Sequence, residues 1–252
     1  MVNEQMVNEQ MVNGKVILVT GASSGIGQAT ARLCAEQGAK LILVGRDAER
    51  LQTTLSQLEG EGHRILCLDL NMPDTWSDMA ELSIIDGVAA CAGVASMQPF
   101  SFINHAEMQR VFQTNFFGQV ELVQLLLKKK KLNKPASIVF VSSVDGMLKV
   151  HAGNSVYSAS KSALIGMARN MAIDLAPKKI RVNCVLPGTT NTAMIRTNNV
   201  TEEQLQQTAA QTPFHRFAEP EEVGNAIVFL LSDAASYISG TELVVDGAAH
   251  LI

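Results

Sequence analysis

The sequence predicts an α/β protein, a doubly wound parallel sheet flanked by helices on both faces. Three observations carry that expectation. Short apolar runs alternate with longer segments of helical spacing from Gly14 onward. The runs are continuously apolar, as strands buried on both faces must be. A glycine-rich turn separates the first run from the first helical segment, and right-handed crossovers then wind the sheet both ways. Of 252 residues 47% are hydrophobic and 17% charged, with a net charge of -4. That balance excludes a disordered chain and argues against a nucleic-acid-binding surface.

The elements follow in order. Residues 15–20 (KVILVT) read as a buried strand, and 26–37 as a helix with Ile26, Ala29, Leu33 and Cys34 on one face. A second strand at 41–44 and a second helix at 47–58 repeat the pattern. Strands at 65–70 and 87–90 come next, then a helical stretch over 106–130 ending in the four lysines 128–131, whose charge suits a solvated helix C-terminus. A strand at 137–142, a helix at 156–175, a strand at 181–186, a helix at 221–231 and a strand at 242–245 complete the alternation. Ahead of all this, MVNEQ fills 1–5 and again 6–10, so 1–13 is read as a polar leader and 14–252 as one domain. Glu4, Gln5, Glu9 and Gln10 stand where a signal peptide would be apolar, and no run nears the roughly 20 apolar residues of a membrane span. The expected location is the cytoplasm, away from membranes. Cys34, Cys67, Cys91 and Cys184 form no CxxC pair and read as small buried residues.

In such a sheet, ligands sit beyond the C-terminal strand ends at the switch point. The loop after the first strand is Thr20-Gly21-Ala22-Ser23-Ser24-Gly25-Ile26-Gly27. Its spacing is GxxxGxG. Gly21 permits a tight turn, Gly25 lets the backbone approach a pyrophosphate, and Gly27 lets helix and strand pack closely. Ser23, Ser24 and Ile26 lie at the start of the helix, where free N–H groups favour an anion. At the end of the second strand an NAD site places a carboxylate; here Gly45 and Arg46 stand instead. A guanidinium suits a 2′-phosphate, so NADP is favoured, with NAD the alternative and Asp47 as a competing partner for Arg46 or the ribose.

Tyr157 and Lys161 are four residues apart at the start of a helix, so they project from one face. A neighbouring ammonium lowers a phenol's pKa toward neutrality, and the phenol then exchanges a proton with a carbonyl or alcohol oxygen. Ser142 and Ser143 follow a strand end, where a hydroxyl reaches a reacting oxygen. Asn115 is polar inside an apolar helix and needs partners: it satisfies kinked backbone or relays protons through water. The five histidines show no metal-ligand spacing, so no metal is expected.

Taken in this order the motifs resemble the short-chain dehydrogenase/reductase family, in its short single-domain branch, over residues 14–252. They are TGASSGIG from Thr20, Asp69, Ala92-Gly93, Asn115, Ser143, Tyr157 with Lys161, Pro187-Gly188 with Thr192, and SGTELVVDGA from Ser239. The resemblance implies a Rossmann-like fold and hydride transfer between nicotinamide and a small-molecule carbonyl or secondary alcohol. It makes Tyr157 the general acid/base, Lys161 its partner and a ribose ligand, Ser143 the orienting hydroxyl, and Asn115 the holder of a relay water. It sets Asp69, with Leu70, by the adenine. Ala92 and Gly93 would line the groove, and Pro187, Gly188, Thr190 and Thr192 would meet the nicotinamide end and phosphates. It also implies a homotetramer or dimer.

Three departures stand out. Ala90-Cys91-Ala92-Gly93 replaces the family's Asn-Asn-Ala-Gly, Ser143 lies 14 residues before Tyr157, one more than usual, and residues 72–85 are short for the helix expected there. A 3-oxoacyl-carrier-protein reductase is the alternative within the enzyme class. A dinucleotide-sensing binding module without turnover is the alternative outside it. Residues 201–212, rich in Gln and Glu, fall where such folds carry a substrate lid.

Overall fold

The computed structural model describes residues 10–76, 79, 81–196 and 200–252. Residues 1–9 of the expected leader lie outside that range. Val12 is fully buried, and the Asn13 N–H donates to the Gln10 carbonyl at 3.2 Å, so packing begins slightly ahead of Gly14.

Seven parallel strands form one sheet: β1 Val16–Thr20, β2 Lys40–Gly45, β3 Arg64–Cys67, β4 Ile85–Ala90, β5 Leu132–Val141, β6 Ile180–Pro187 and β7 Glu242–Val245. Their order is β3-β2-β1-β4-β5-β6-β7. The chain reverses direction across the sheet between β1 and β4, which pair with Thr20 opposite Ala90. The helices are α1 Gly25–Glu36, α2 Ala48–Leu55, α3 His105–Phe112, α4 Gly118–Lys128, α5 Ser155–Leu175, α6 Glu202–Ala210 and α7 Pro220–Leu231.

Strand alternation divides the core into two layers. Leu18, Ile42, Val88 and Phe140 face α4 and α5, packing on Leu122, Leu126, Leu164 and Ala168. Ile17, Val19, Leu41 and Leu43 face α1 and α7, packing on Ala31, Cys34, Val223 and Ile227. Both faces of the sheet are therefore dry, as the unbroken apolar strands require.

Several element bounds differ from expectation, and the stretch after Met72 is short as read. The single helix over 106–130 is α3 and α4 joined through a π-helical turn, Gln113–Phe117. Asn115 sits in that turn, and Gly118 follows it. A Cβ on Gly118 would come within 2.5 Å of the Leu70 carbonyl oxygen, so only glycine lets α4 lie this close to the loop after β3. The strand expected over 65–70 ends at Cys67, because the chain there turns along the sheet's C-terminal edge. The shortened stretch after Met72 carries a 3-10 turn, Pro73–Thr75, and then Trp76, whose Nε1–H donates to the Asp69 carbonyl at 2.8 Å. That buried indole holds the β3 loop where the resemblance implies a longer helix.

Candidate active site

A cleft of about 340 Å³ opens at the switch point. Its walls are the loops after β1, β2, β3 and β4, closed on the far side by Thr192, Ala193 and Met194. The β1 loop supplies Gly21, Ser23, Ser24, Gly25, Ile26 and Gly27. Gly21 and Gly25 have φ of +65° and +53°, a conformation that favours glycine. A Cβ on Gly27 would lie 2.4 Å from the Gly21 oxygen, so the first turn of α1 cannot reach its place with any larger residue. Ser24 occupies the α1 N-cap without a side-chain cap bond, and no acidic residue lies in the first turn. The helix therefore presents its positive end and free N–H groups to the cleft.

The β2 corner is basic. Asp47, the competing partner for Arg46, is used elsewhere: its carboxylate caps α2, accepting the Arg50 N–H at 3.0 Å. Arg46 and Arg50 both line the cleft, and neither joins an ion pair among the described residues. Arg50 was not expected from sequence. Asp69 and Leu70 line the next wall, with the Asp69 carboxylate accepting from the Asn71 N–H and side-chain amide at 2.9 and 2.8 Å.

The lost amides of the β4 loop are replaced from α4. Gln119, fully buried, donates to the Ala92 carbonyl at 2.6 Å and accepts from the Thr20 hydroxyl at 3.0 Å. Thr20 in turn accepts the Ala92 N–H at 3.1 Å. Ala92 and Gly93 thus hold the groove wall despite the changed motif. Cys91 also lines the cleft, and burial pushes its thiol up to about 12. Cys34 and Cys184 are buried as expected, whereas Cys67 is exposed at the end of β3, its thiol donating to the Arg46 carbonyl at 3.6 Å.

Behind Gly93 lies the cluster of acid-base residues. A Cβ on Gly93 would come within 3.2 Å of Lys161 Nζ and 3.4 Å of Asn115 Oδ1. Lys161 is 3% exposed, donates to the Val141 carbonyl at 2.8 Å, and sits 5.9 Å from the Tyr157 ring centre. Burial lowers its pKa to about 8. Burial drives the Tyr157 phenol up to about 12, with the Ser143 side chain pulling it down and the Asp145 charge pushing it up. The expected descent toward neutrality is absent: burial raises the phenol, and the Lys161 ammonium donates to the Val141 carbonyl. The phenol is therefore protonated at neutral pH.

Of the two serines at the β5 end, Ser142 donates to the Lys161 carbonyl at 2.8 Å and is committed to α5. Ser143 is the one that meets Tyr157. Asn115 is fully buried and fully used: Nδ2 donates to the Val94 carbonyl and Ser160 Oγ, both at 3.0 Å, and Oδ1 accepts the Val94 N–H at 2.7 Å. Its side chain is thus engaged with the Val94 loop and with α5. Pro187 ends β6, and Gly188 packs so tightly that a Cβ would stand 2.6 Å from Asp246 Cβ. Thr190 is buried and donates to the Gly188 carbonyl at 3.0 Å, positioning Thr192 opposite Gly25.

Comparison with known proteins finds relatives over nearly the whole chain. Residues 21–250 match the family model described as enoyl-(acyl carrier protein) reductase. A 3-oxoacyl-[acyl-carrier-protein] reductase of Bos taurus is 36% identical over 242 residues, covering 94% of this chain and 98% of its own. Cis-4-hydroxycyclohexanecarboxylate dehydrogenase of Sinomonas cyclohexanicum is 36% identical over 241 residues, covering 92% and 95%. Among solved structures, a short-chain type dehydrogenase/reductase from Mycobacterium marinum superposes with a TM-score of 0.86 at 30% identity, covering 96% of this chain and 98% of that one.

Proposed function

Since the chain belongs to the short-chain dehydrogenase/reductase family of nicotinamide-dinucleotide oxidoreductases, we propose that it interconverts a carbonyl and a secondary alcohol, prefers NADP, and uses Tyr157 as general acid/base. The observation that carries this reading is the buried Lys161 directly behind the cleft wall at Gly93, 5.9 Å from the Tyr157 ring centre, with Ser143 acting on the Tyr157 phenol. The cleft fits a dinucleotide: its glycines leave the room that a pyrophosphate needs, and α1 offers it a positive end. Asp69 and Leu70 suit the adenine side, and Pro187, Gly188, Thr190 and Thr192 the nicotinamide side. The bound nicotinamide supplies or takes up the hydride.

The chain's own residues handle the proton. In reduction the Tyr157 O–H breaks and its proton goes to the carbonyl oxygen, which Ser143 steadies with a hydrogen bond. The Lys161 ammonium stabilises the phenolate left behind. Asn115 acts as a positioning residue, bracing Val94 and Ser160 at the back of the site.

The preference for NADP rests on Arg46 and Arg50, two guanidinium groups on one rim that join no ion pair among the described residues. Arg46→Ala should lower the kcat/KM for NADPH by about tenfold to a hundredfold, the value of one charge-assisted phosphate contact, and leave NADH within about twofold. Initial rates with both cofactors measure this, and an equal loss for both would reject the preference. Screening ketones, sugars, steroids and acyl thioesters identifies the substrate. Turnover confined to acyl thioesters would favour the 3-oxoacyl reductase reading, which the bovine relative supports. Tight cofactor binding with no turnover across the panel would favour a sensing module.

The cysteines among the described residues are free thiols, which suits a cytoplasmic enzyme. Exposed Phe117, Ile173, Leu251 and Ile252 support a homotetramer or dimer built on the long helices and C-terminus. Sedimentation velocity should show the assembly at micromolar protein, and a monomer alone would reject it.

A further inference from the structure

Asp145 stands two residues beyond Ser143, in the 3-10 turn Val144–Gly146 that follows β5. Its side chain is only 14% exposed, and both carboxylate oxygens are held. Oδ1 faces His151 Nδ1 at 2.9 Å, and Oδ2 accepts from the Asn154 side-chain amide at 2.6 Å. Its backbone N–H donates to the Ser143 hydroxyl oxygen at 3.2 Å.

Asn154 is the N-cap residue of α5, the helix whose first turn carries Tyr157. An Asn at that position ordinarily caps the helix with its own side chain. Here it makes no cap bond and turns to Asp145 instead. One carboxylate therefore links the Ser143 loop, the His151 loop and the start of α5. The loop is also packed on the helix, since a Cβ on Gly146 would meet the Ser162 nitrogen at 3.1 Å and the Ser162 hydroxyl donates to the Gly146 carbonyl. The site's proton donor and its orienting hydroxyl are in this way fixed to a common acidic post.

We propose that Asp145 is a positioning residue for the reaction, tying the Ser143 loop to the start of the Tyr157 helix. This rests on the reading of Tyr157 as general acid/base. A carboxylate that acts on a phenol disfavours the phenolate, so this charge opposes the Lys161 ammonium and disfavours the base form that alcohol oxidation needs. Asp145 is one of the groups that push the Tyr157 phenol upward. The other charged or titratable groups here are Lys161 on α5, Cys91 and Cys184 against Lys161, and His151 against Asp145. On α3, Glu107 and Arg110 pair with each other at 2.7 Å.

Two variants separate the charge from the tie. Asp145→Asn removes the charge and keeps a side chain of the same shape. Asn154→Ala keeps the charge and removes the tie to α5. With the cofactor and a substrate from the panel, Asp145→Asn should move the rising limb of the alcohol-oxidation pH profile down by about one pH unit. Below that limb, oxidation should speed up about tenfold. Asn154→Ala should lower kcat in both directions about threefold to tenfold with the limb in place and KM little changed. Wild-type kcat in folded Asn154→Ala, checked by its melting temperature, would overturn the positioning role alone. If wild-type protein turned over no substrate, or Tyr157→Phe matched wild type, the reading of the site would fail and take this proposal with it.

Discussion

Tyr157→Phe should lower kcat for carbonyl reduction by about a thousandfold, the usual worth of a positioned general acid. The change deletes one oxygen. It removes the proposed proton donor and its interaction with Ser143, and leaves the ring, the helix and the cleft. Cofactor affinity should therefore stay within about threefold, and stability within about 1 kcal/mol, the net value of one hydrogen bond. Steady-state rates with cofactor titration and thermal melting check all three. An accompanying collapse of cofactor binding would mean that the phenol serves binding more than proton transfer.

Lys161→Met should have opposite effects on activity and stability. Turnover should fall by about a hundredfold or more, because the phenolate formed in reduction loses its counter-charge. Stability at pH 7 should rise. The folded Lys161 has a pKa of about 8 against the ordinary 10.5, so between those values the unfolded chain binds more protons. Stability of the wild type thus increases as pH climbs through that window, and below it the folded state bears the whole cost of burying the charge. At 1.36 kcal/mol per pH unit the gap is about 3 kcal/mol. Losing the bond to the Val141 carbonyl takes back about 1 kcal/mol, so a gain of about 2 kcal/mol is expected at pH 7, shrinking toward pH 10. Urea unfolding of both proteins at pH 7 and pH 10 measures it. The same titration makes wild-type reduction slow as pH rises through about 8. A less stable variant at pH 7 would show that the lysine is held by more than its one carbonyl.

Much of this was legible because backbone requirements are written in residue type. The glycine loop demanded φ values and close approaches that Gly21, Gly25 and Gly27 supply, and the structure uses them so. Continuous apolar runs located all seven strands, with β7 at its expected bounds. What escaped depended on partners distant in sequence. Helical periodicity through residues 106–130 gave no sign of the π turn, although Asn115 followed by Gly118 in an apolar helix was a signal for it. Arg50 became visible only once Asp47 was seen to cap α2, a pattern that Asp-x-x-Arg at a strand-to-helix turn already held. Nothing in the sequence marked Gln119 as the replacement for the missing amides, because its partners are Thr20 and Ala92. Nor was the high phenol pKa readable from a Tyr–Lys spacing. Spacing sets proximity, and burial, which the spacing does not encode, decided the sign.

The most direct test of the central claim follows the transferred atom. NADPH deuterated on the reactive carbon of its nicotinamide is incubated with the enzyme and a carbonyl substrate from the panel, and the product is examined by mass spectrometry. The account predicts one deuterium on the new carbinol carbon with wild type, and at least a hundredfold slower label transfer with Tyr157→Phe. Tight NADPH binding with no label transferred to any substrate, or transfer at the wild-type rate in Tyr157→Phe, would contradict it.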